Sequence, residues 1–174
     1  GPHAKKYVPI NENLYALLQK VKAFLPQNMR QKIKPLTSLW GFMHGKPSED
    51  ILSFAYWRSG KTPPPNMPID PARDGCGIIW YAPIIPMTAD AVQSFEGLLD
   101  DICTQYGITP AYNFTNYADS YFVGLTALMY ERDTGADLAQ KCYLHLMEEG
   151  LKRGFAPYRA PSFALERLYS GVSP

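Results

Sequence analysis

Between residues 76 and 160, apolar residues follow two kinds of spacing along the chain. Short apolar or alternating runs are typical of strands, and apolar residues three and four positions apart are typical of amphipathic helices. The pattern predicts, in order, strand 76–82, helix 89–106, strand 109–115, strand 121–130, helix 134–153 and strand 155–160. This order is typical of a split βαβ, or ferredoxin-like, α+β domain, whose antiparallel sheet carries both helices on one face. The other face must then meet the N-terminal helices, a partner or a ligand.

The ends of these elements are predicted from residues that cap helices or interrupt strands. Thr88 is a favoured N-cap for the first helix, and Gly107 and Gly154 are placed to end the two helices. Pro83 is expected to end the first strand, because proline has no N–H to donate to a neighbouring strand. A turn is expected over residues 116–120. The second helix is expected to direct four side chains inward, namely Leu138, Cys142, Leu146 and Met147.

The chain before the first strand is predicted to be helical and irregular. The predicted division is a cloning scar at residues 1–3, an N-terminal helical segment at 4–60, and the ferredoxin-like part of the same single domain at 61–174. Apolar residues at helical spacing predict one helix that Pro26 stops or bends and a second that Ser48 caps. The proline-rich residues 60–75 predict a loop.

Composition excludes several classes of protein. The chain has 17 basic and 16 acidic side chains, and its net charge of +1 provides no basic field for nucleic acid or an anionic membrane. No apolar run reaches the ~20 residues that cross a bilayer, so we expect a cytoplasmic protein without nucleic-acid or membrane partners. Cys76, Cys103 and Cys142 lie far apart in sequence, which excludes a disulfide framework and the common structural zinc sites. His44 and His145 are the only histidines outside the scar, so a histidine-based metal site or triad lacks parts.

The adjacent residues Tyr158 and Arg159 are the strongest candidates for chemistry. A phenol and a guanidinium side by side can both hydrogen-bond one ligand oxygen, and both favour a bound phenolate. The alternative is structural, with the tyrosine packed at a sheet edge and the arginine paired with a nearby acid. In the first strand, Trp80 and Tyr81 must point to opposite faces, and the ordinary arrangement is a core tryptophan and a surface tyrosine.

Three separated segments resemble, in the same order, segments of the vanillyl-alcohol oxidase and 4-cresol dehydrogenase family. They are residues 55–58 (AYWR), 71–83 (PARDGCGIIWYAP) and 154–159 (GFAPYR), and the similarity extends from about residue 36 to 168. Members of that family are flavoproteins in which one part binds FAD and an inserted cap domain closes the substrate pocket. This chain is similar to the cap alone, which implies the substrate-binding part of a flavin-dependent oxidase or dehydrogenase acting on para-substituted phenols.

The resemblance also implies roles for individual residues. Tyr158 and Arg159 match the family's pair that binds the phenolic oxygen and stabilises phenolate, and they are the catalytic candidates. Trp80, Asn113 and Ile78 match positions in or beside the pocket and are the substrate-binding candidates. Some family members carry a histidine or tyrosine, joined covalently to the flavin, at the position of Ile78. Covalent attachment of a flavin through this chain is therefore not expected.

The implied partners are an FAD-binding domain or subunit and a phenolic small molecule. FAD is expected in the complete enzyme, and no cofactor or metal is expected in this chain alone. An uncovered sheet face around Ile78 and Trp80 would also favour a homo-oligomer. Two alternatives stay open. One is a stand-alone, non-catalytic binding or scaffold domain that keeps the cap fold. The other is an independent small enzyme of ferredoxin-like topology, for which a histidine or carboxylate cluster is lacking.

Overall fold

The computed structural model describes residues 12–21, 24–30, 41, 44–45 and 49–169, and the chain divides into two compact units, residues 1–54 and 55–174. The N-terminal unit contains helix α1 (Glu12–Val21), and a 3₁₀ helix runs over Glu49–Tyr56. Helix α1 ends before the expected stop at Pro26. Phe24, which follows the helix, is strongly exposed, so a longer helix would bury little apolar surface there. The expected cap at Ser48 and the scar at residues 1–3 lie outside the described residues.

The second unit is built on a four-stranded sheet whose strands all pair antiparallel. Its strands are β1 (Cys76–Pro86), β2 (Ala111–Ala118), β3 (Tyr121–Glu131) and β4 (Pro157–Arg159). Helix α2 (Ala89–Gln105) follows β1, helix α3 (Arg132–Lys152) follows β3, and helix α4 (Ser162–Tyr169) follows β4. The strands are ordered β2-β3-β1-β4 across the sheet. The element order and the sheet confirm the predicted ferredoxin-like α+β fold; helix α4 was not predicted.

The strand ends differ from the sequence-based expectation, most clearly in β1 and at the β2–β3 turn. Strand β1 continues through Pro83 to Pro86, because the pairing of β1 with β4 changes register between Ala82 and Pro83. The missing proline N–H falls at this irregularity, and Ile84 N donates instead to the carbonyl of Ala156 at 2.8 Å. The β2–β3 turn is also shorter than expected, because pairing extends to Ala118 opposite Tyr121.

The predicted cap and stop residues of the two long helices are confirmed. Thr88 Oγ1 accepts a hydrogen bond from Ala91 N at 3.3 Å, as an N-cap should. Gly107 and Gly154 adopt φ values of 63° and 81° just beyond α2 and α3. This left-handed conformation is disfavoured for side chains with a Cβ, so glycine ends each helix at little cost.

The core lies between the sheet and helices α2 and α3. Side chains from the sheet and from these helices form one apolar cluster there, which includes Tyr81, Ile85, Phe95, Leu128, Cys142 and Leu146. The inward direction of Cys142, Leu146 and Met147 is confirmed. The expectation for Leu138 is wrong, because its side chain is 46% exposed. The buried stripe of α3 begins at the next residue, Ala139. Successive side chains of a helix are about 100° apart, so Leu138 points away from the core.

None of the helices in the described ranges combines the length and the apolar character that crossing a membrane would require.

Candidate functional site

The residues proposed from sequence as a site lie on the sheet face opposite α2 and α3, which we call the second face. Strand β1 directs Ile79, Tyr81 and Ile85 into the helix-covered core, so alternation directs Ile78, Trp80, Ala82 and Ile84 to the second face. The ladder between β1 and β3 keeps one register from Cys76 to Pro86, so this assignment holds along the whole strand.

Four residues form a row across the second face, one from each strand. Arg159 of β4 pairs with Ala82 of β1, and Asn113 of β2 pairs with Leu125 of β3. The unbroken register from Tyr81–Thr126 to Ile84–Val123 places Ala82 beside Leu125 and joins the two halves of the row. Arg159 and Asn113 thus mark opposite ends of a row about 14 Å long, by strand spacing. Between them lie two apolar residues, Ala82, which is 2% exposed, and Leu125, which is half-buried.

Tyr158 and Arg159 contact each other at one end of this row. The Arg159 guanidinium carbon lies 5.2 Å from the centre of the Tyr158 ring, and both side chains are exposed, Tyr158 to 44%. Over the ranges that the structure describes, no carboxylate forms an ion pair with Arg159. A guanidinium that packs against a ring can still donate from its N–H groups to a ligand. The second face therefore offers a positive charge to an anionic ligand.

The Tyr158 ring also contacts Tyr117, a residue that the sequence reasoning missed. The two ring centres are 5.2 Å apart at an interplanar angle of 63°. Tyr117 is in β2 and Tyr158 is in β4, the two outer strands, so their side chains meet across the strands between them. Alternation could not have found Tyr117, because it lies at the register change between Asn116 and Ala118 of β2, where the regular alternation of side chains is interrupted.

Asn113 is oriented by a neighbour at the other end of the row. Thr115 Oγ1 donates to Asn113 Oδ1 at 3.1 Å, and both side chains are exposed. The amide oxygen is thereby used internally, which leaves the amide N–H groups of Asn113 as the donors presented to a ligand.

Trp80 and Tyr81 point to opposite faces as predicted, but with their expected environments exchanged. Tyr81 is fully buried in the helix-covered core, where its hydroxyl donates to the Leu146 carbonyl at 3.0 Å. Trp80 is 39% exposed on the second face, opposite Ala127 of β3. The ordinary preference for a core tryptophan fails here, because α3 supplies an acceptor that satisfies a buried phenol.

The described residues do not fit a site for FAD itself. Ile78 is half-buried and carries no atom that can form a bond to a flavin ring. The connection from β1 to α2 consists of Met87 and Thr88, and α3 follows β3 directly, so neither strand-to-helix connection is a glycine-rich phosphate-binding loop.

Two of the family-like segments contact each other in a structural cluster away from the second face. Tyr56 Oη donates to Asp74 Oδ2 at 2.5 Å, and Arg73 donates to both Asp74 oxygens at 2.7 and 2.8 Å. The hydrogen bonds from Arg73 and Tyr56 hold the pKa of Asp74 below its usual range. Burial, with the hydrogen bond to Asp74, raises the pKa of Tyr56 to about 12. These residues pin the proline-rich loop before β1.

A separate groove of about 460 Å³ lies beyond the C-terminal end of α2 and is lined by Tyr106, Ile108, Met129, Tyr130 and Leu138, with Arg58 at its edge. Arg58 Nη1 donates to the Thr109 carbonyl at 2.9 Å and to the Pro110 carbonyl at 3.3 Å. Arg58 therefore uses its charge to hold backbone carbonyls at the edge of the groove. His145 lies nearby, with Nδ1 3.3 Å from the Tyr106 hydroxyl. Over the described ranges, no cluster of three or more His, Cys, Asp or Glu side chains could hold a metal ion.

Comparison with known proteins gives a partial match. No family model matches the chain. A curated protein, the 1'-carboxy-chondrochloren decarboxylase of Chondromyces crocatus, is 33% identical over 117 residues, which cover 66% of this chain and 21% of that protein. The chain thus spans about a fifth of the length of the curated relative that it matches.

Proposed function

We propose that this chain is the substrate-binding cap of a larger flavin-dependent oxidoreductase that acts on para-substituted phenols. The observation that carries the proposal is the position of Arg159: it lies beside Tyr158 on the same sheet face as Trp80 and Asn113, without an ion pair to a carboxylate in the described residues. Without an internal anion, the N–H groups of this guanidinium can donate to an anionic ligand.

The row of residues suggests how a phenol would bind. Its ring would lie over Ala82 and Leu125 beside Trp80, with its oxygen at the Tyr158–Arg159 end. Arg159 and the Tyr158 hydroxyl would donate to that oxygen, and a charge-assisted hydrogen bond contributes about 1.5–3 kcal/mol. Because the guanidinium favours the anion over the neutral phenol, binding would lower the pKa of the phenol and hold it as phenolate. The Asn113 amide would donate to an oxygen of the para substituent.

The flavin belongs to this proposal only through the family resemblance. Ile78 offers no covalent attachment and the connections before α2 and α3 are not glycine-rich, so we expect an FAD-binding domain or subunit outside this chain to supply the flavin. The contribution of this chain is to bind and orient the substrate, and to keep its oxygen ionised.

A second candidate function follows from the decarboxylase match. The name of that protein describes the removal of a carboxyl group, and a carboxylate would suit Arg159 as well as a phenolate does. The same face could therefore hold the carboxylate of an acidic substrate. A stand-alone binding domain, without an enzymatic partner, is the remaining alternative.

The test uses 4-nitrophenol, whose ionisation is visible by absorbance. We expect the purified chain to lower the apparent pKa of bound 4-nitrophenol, and Arg159→Ala to weaken phenolate binding roughly ten- to a hundredfold. Arg153→Ala is the matched control, since Arg153 is an exposed arginine at the end of α3. Equal binding by the wild type and Arg159→Ala would overturn the proposal. Stronger binding of benzoate than of 4-nitrophenolate would favour the decarboxylase alternative, and an adjacent coding sequence for an FAD-binding half would support the oxidoreductase.

A further inference from the structure

We propose that Tyr117 is a positioning residue of this site, which holds the Tyr158 ring against Arg159 and closes the row on its Ile84–Val123 side. The inference rests on the proposed function and adds to it a residue from the opposite edge of the sheet. It starts from the contact between the Tyr117 and Tyr158 rings, whose centres lie 5.2 Å apart.

That contact spans the width of the sheet. Strands β1 and β3 lie between β4 and β2, so the backbones of the outer strands are about 14 Å apart. Two tyrosine side chains can close this gap only if both extend inward from the outer strands, and we infer that they do so on the second face because α2 and α3 cover the other. The ring pair then lies over the next row of the ladder, where Ile84 pairs with Val123 and Val123 pairs with Thr115.

The backbone alone does not fix the direction of the Tyr158 side chain. Strand β4 has only three residues, and its register against β1 changes between Ala82 and Pro83, next to Tyr158. A side chain in a bulge is not constrained by regular alternation. The Tyr117 ring on one side and the Arg159 guanidinium, 5.2 Å from the ring centre, on the other therefore set where the phenol points.

The ring pair also defines the shape of the ligand. Trp80 stands two ladder rows away from Ile84 on the same strand, about 13 Å along it, and the row of Ala82 and Leu125 lies between. The indole and the tyrosine pair thus lie on opposite sides of the Ala82 row. A ligand substituent that projected toward the tyrosine pair would displace Tyr158 from Arg159.

The experiment combines one measurement without ligand and one with 4-nitrophenol. In the free chain, NMR measures the chemical shifts of the Arg159 side-chain resonances, which the ring current of Tyr158 alters. We expect Tyr117→Leu to move these resonances toward their values in Tyr158→Leu, and to weaken 4-nitrophenolate binding roughly two- to tenfold. Tyr117→Phe keeps the ring and should leave both readouts close to the wild type. Tyr117→Thr is a second variant suited to a strand.

Tyr121→Leu is the matched control, because Tyr121 is an exposed tyrosine of the same hairpin. It should leave the Arg159 resonances and the binding unchanged. A wild type that binds 4-nitrophenolate through Arg159, with binding unaltered in Tyr117→Leu and Tyr117→Thr, overturns the role of Tyr117 alone. A wild type with no preference for the phenolate, equal to Arg159→Ala, overturns the proposed function and this inference with it.

Discussion

The two faces of the sheet are built from alternate residues of the same strands, and they differ in what their side chains do. On the helix-covered face, Tyr81, Ile85 and Leu128 are fully buried within the apolar cluster. On the second face, Trp80, Tyr117 and Tyr158 are 39–51% exposed. A period of two thus directs Tyr81 and Ile85 of β1 into the core and Trp80, on the same strand, to the second face, where it is partly exposed.

The aromatic contacts on the two faces differ in the same way. On the helix-covered face the Phe95 ring contacts four other rings, those of Tyr81, Tyr112, Phe114 and Phe155, with centres 5.9–6.5 Å apart. On the second face, the ring contact between Tyr117 and Tyr158 joins two partly exposed tyrosines. Rings packed without solvent contribute to stability through buried area, whereas partly exposed phenols keep their hydroxyls available.

The largest expected effect is the loss of a core ring. Phe95→Ala should lower the free energy of unfolding by about 3–5 kcal/mol, because it leaves a cavity among four rings that cannot all relax into it. Chemical denaturation measures the change. The comparison predicts that Asn113→Ala, an exposed position of the second face, shifts stability by no more than about 0.5 kcal/mol. Similar losses for both variants would contradict a division of labour between the faces.

A single added methyl group should next test how tightly the helix-covered face is packed. Gly124 lies on the helix-covered side of β3, and a Cβ there would come within 2.4 Å of Ile85 Cδ1 and 2.8 Å of Phe95 Cε1. Both neighbours are buried, so Gly124→Ala should cost about 1–3 kcal/mol through overpacking. Gly97→Ala is the control, because nothing lies within 4 Å of its Cβ position in α2. It should stabilise the chain by about 0.5–1 kcal/mol, by helix propensity.

The sequence was enough to predict the order of the elements, because strands, helices and caps depend on local periodicity and on residues such as Thr88 and Gly107. It was not enough to choose which member of the Trp80–Tyr81 pair enters the core. That choice depends on the Leu146 carbonyl, which lies 65 residues away from Tyr81. The position of Tyr117 beside Tyr158 also depends on non-local contacts, because it requires β2, β3, β1 and β4 to pair in this order. Non-local pairing of this kind leaves no local signal in the chain.

Charged side chains, and not packing on either sheet face, hold the loop before β1. The stabilisation that this loop contributes should therefore depend on pH more than that of either face. The pKa of Asp74 is lowered by the hydrogen bonds from Arg73 and Tyr56. A carboxylate with a lowered folded pKa stabilises the fold above its unfolded pKa, and this stabilisation is lost as the pH falls through the folded value. Asp74→Asn should therefore melt at a lower temperature than the wild type at neutral pH, and the difference should vanish well below the ordinary carboxyl pKa of 3.8.

Thermal melting of both proteins from neutral to acidic pH checks this expectation. Asp137→Asn is the control, because Asp137 forms an exposed ion pair with Lys141 within one helix. A difference between Asp74→Asn and the wild type that persists unchanged at acidic pH would mean that shape, and not the carboxylate charge, holds the loop.

The smallest effect compares two buried phenols on the helix-covered face. Tyr143 is fully buried, with its ring 5.7 Å from that of Tyr81, and its hydroxyl has no hydrogen-bond partner in the described part of the chain. Burial raises its pKa to about 12. Tyr143→Phe should stabilise the chain by about 1 kcal/mol, because it removes an unsatisfied polar group. Tyr81→Phe should instead cost about 0.5–1.5 kcal/mol, because it loses the hydrogen bond to the Leu146 carbonyl. Denaturation of both variants under one set of conditions gives the signs. A loss of stability in Tyr143→Phe would show that a buried water satisfies this hydroxyl and that the core face, like the second face, depends on polar contacts.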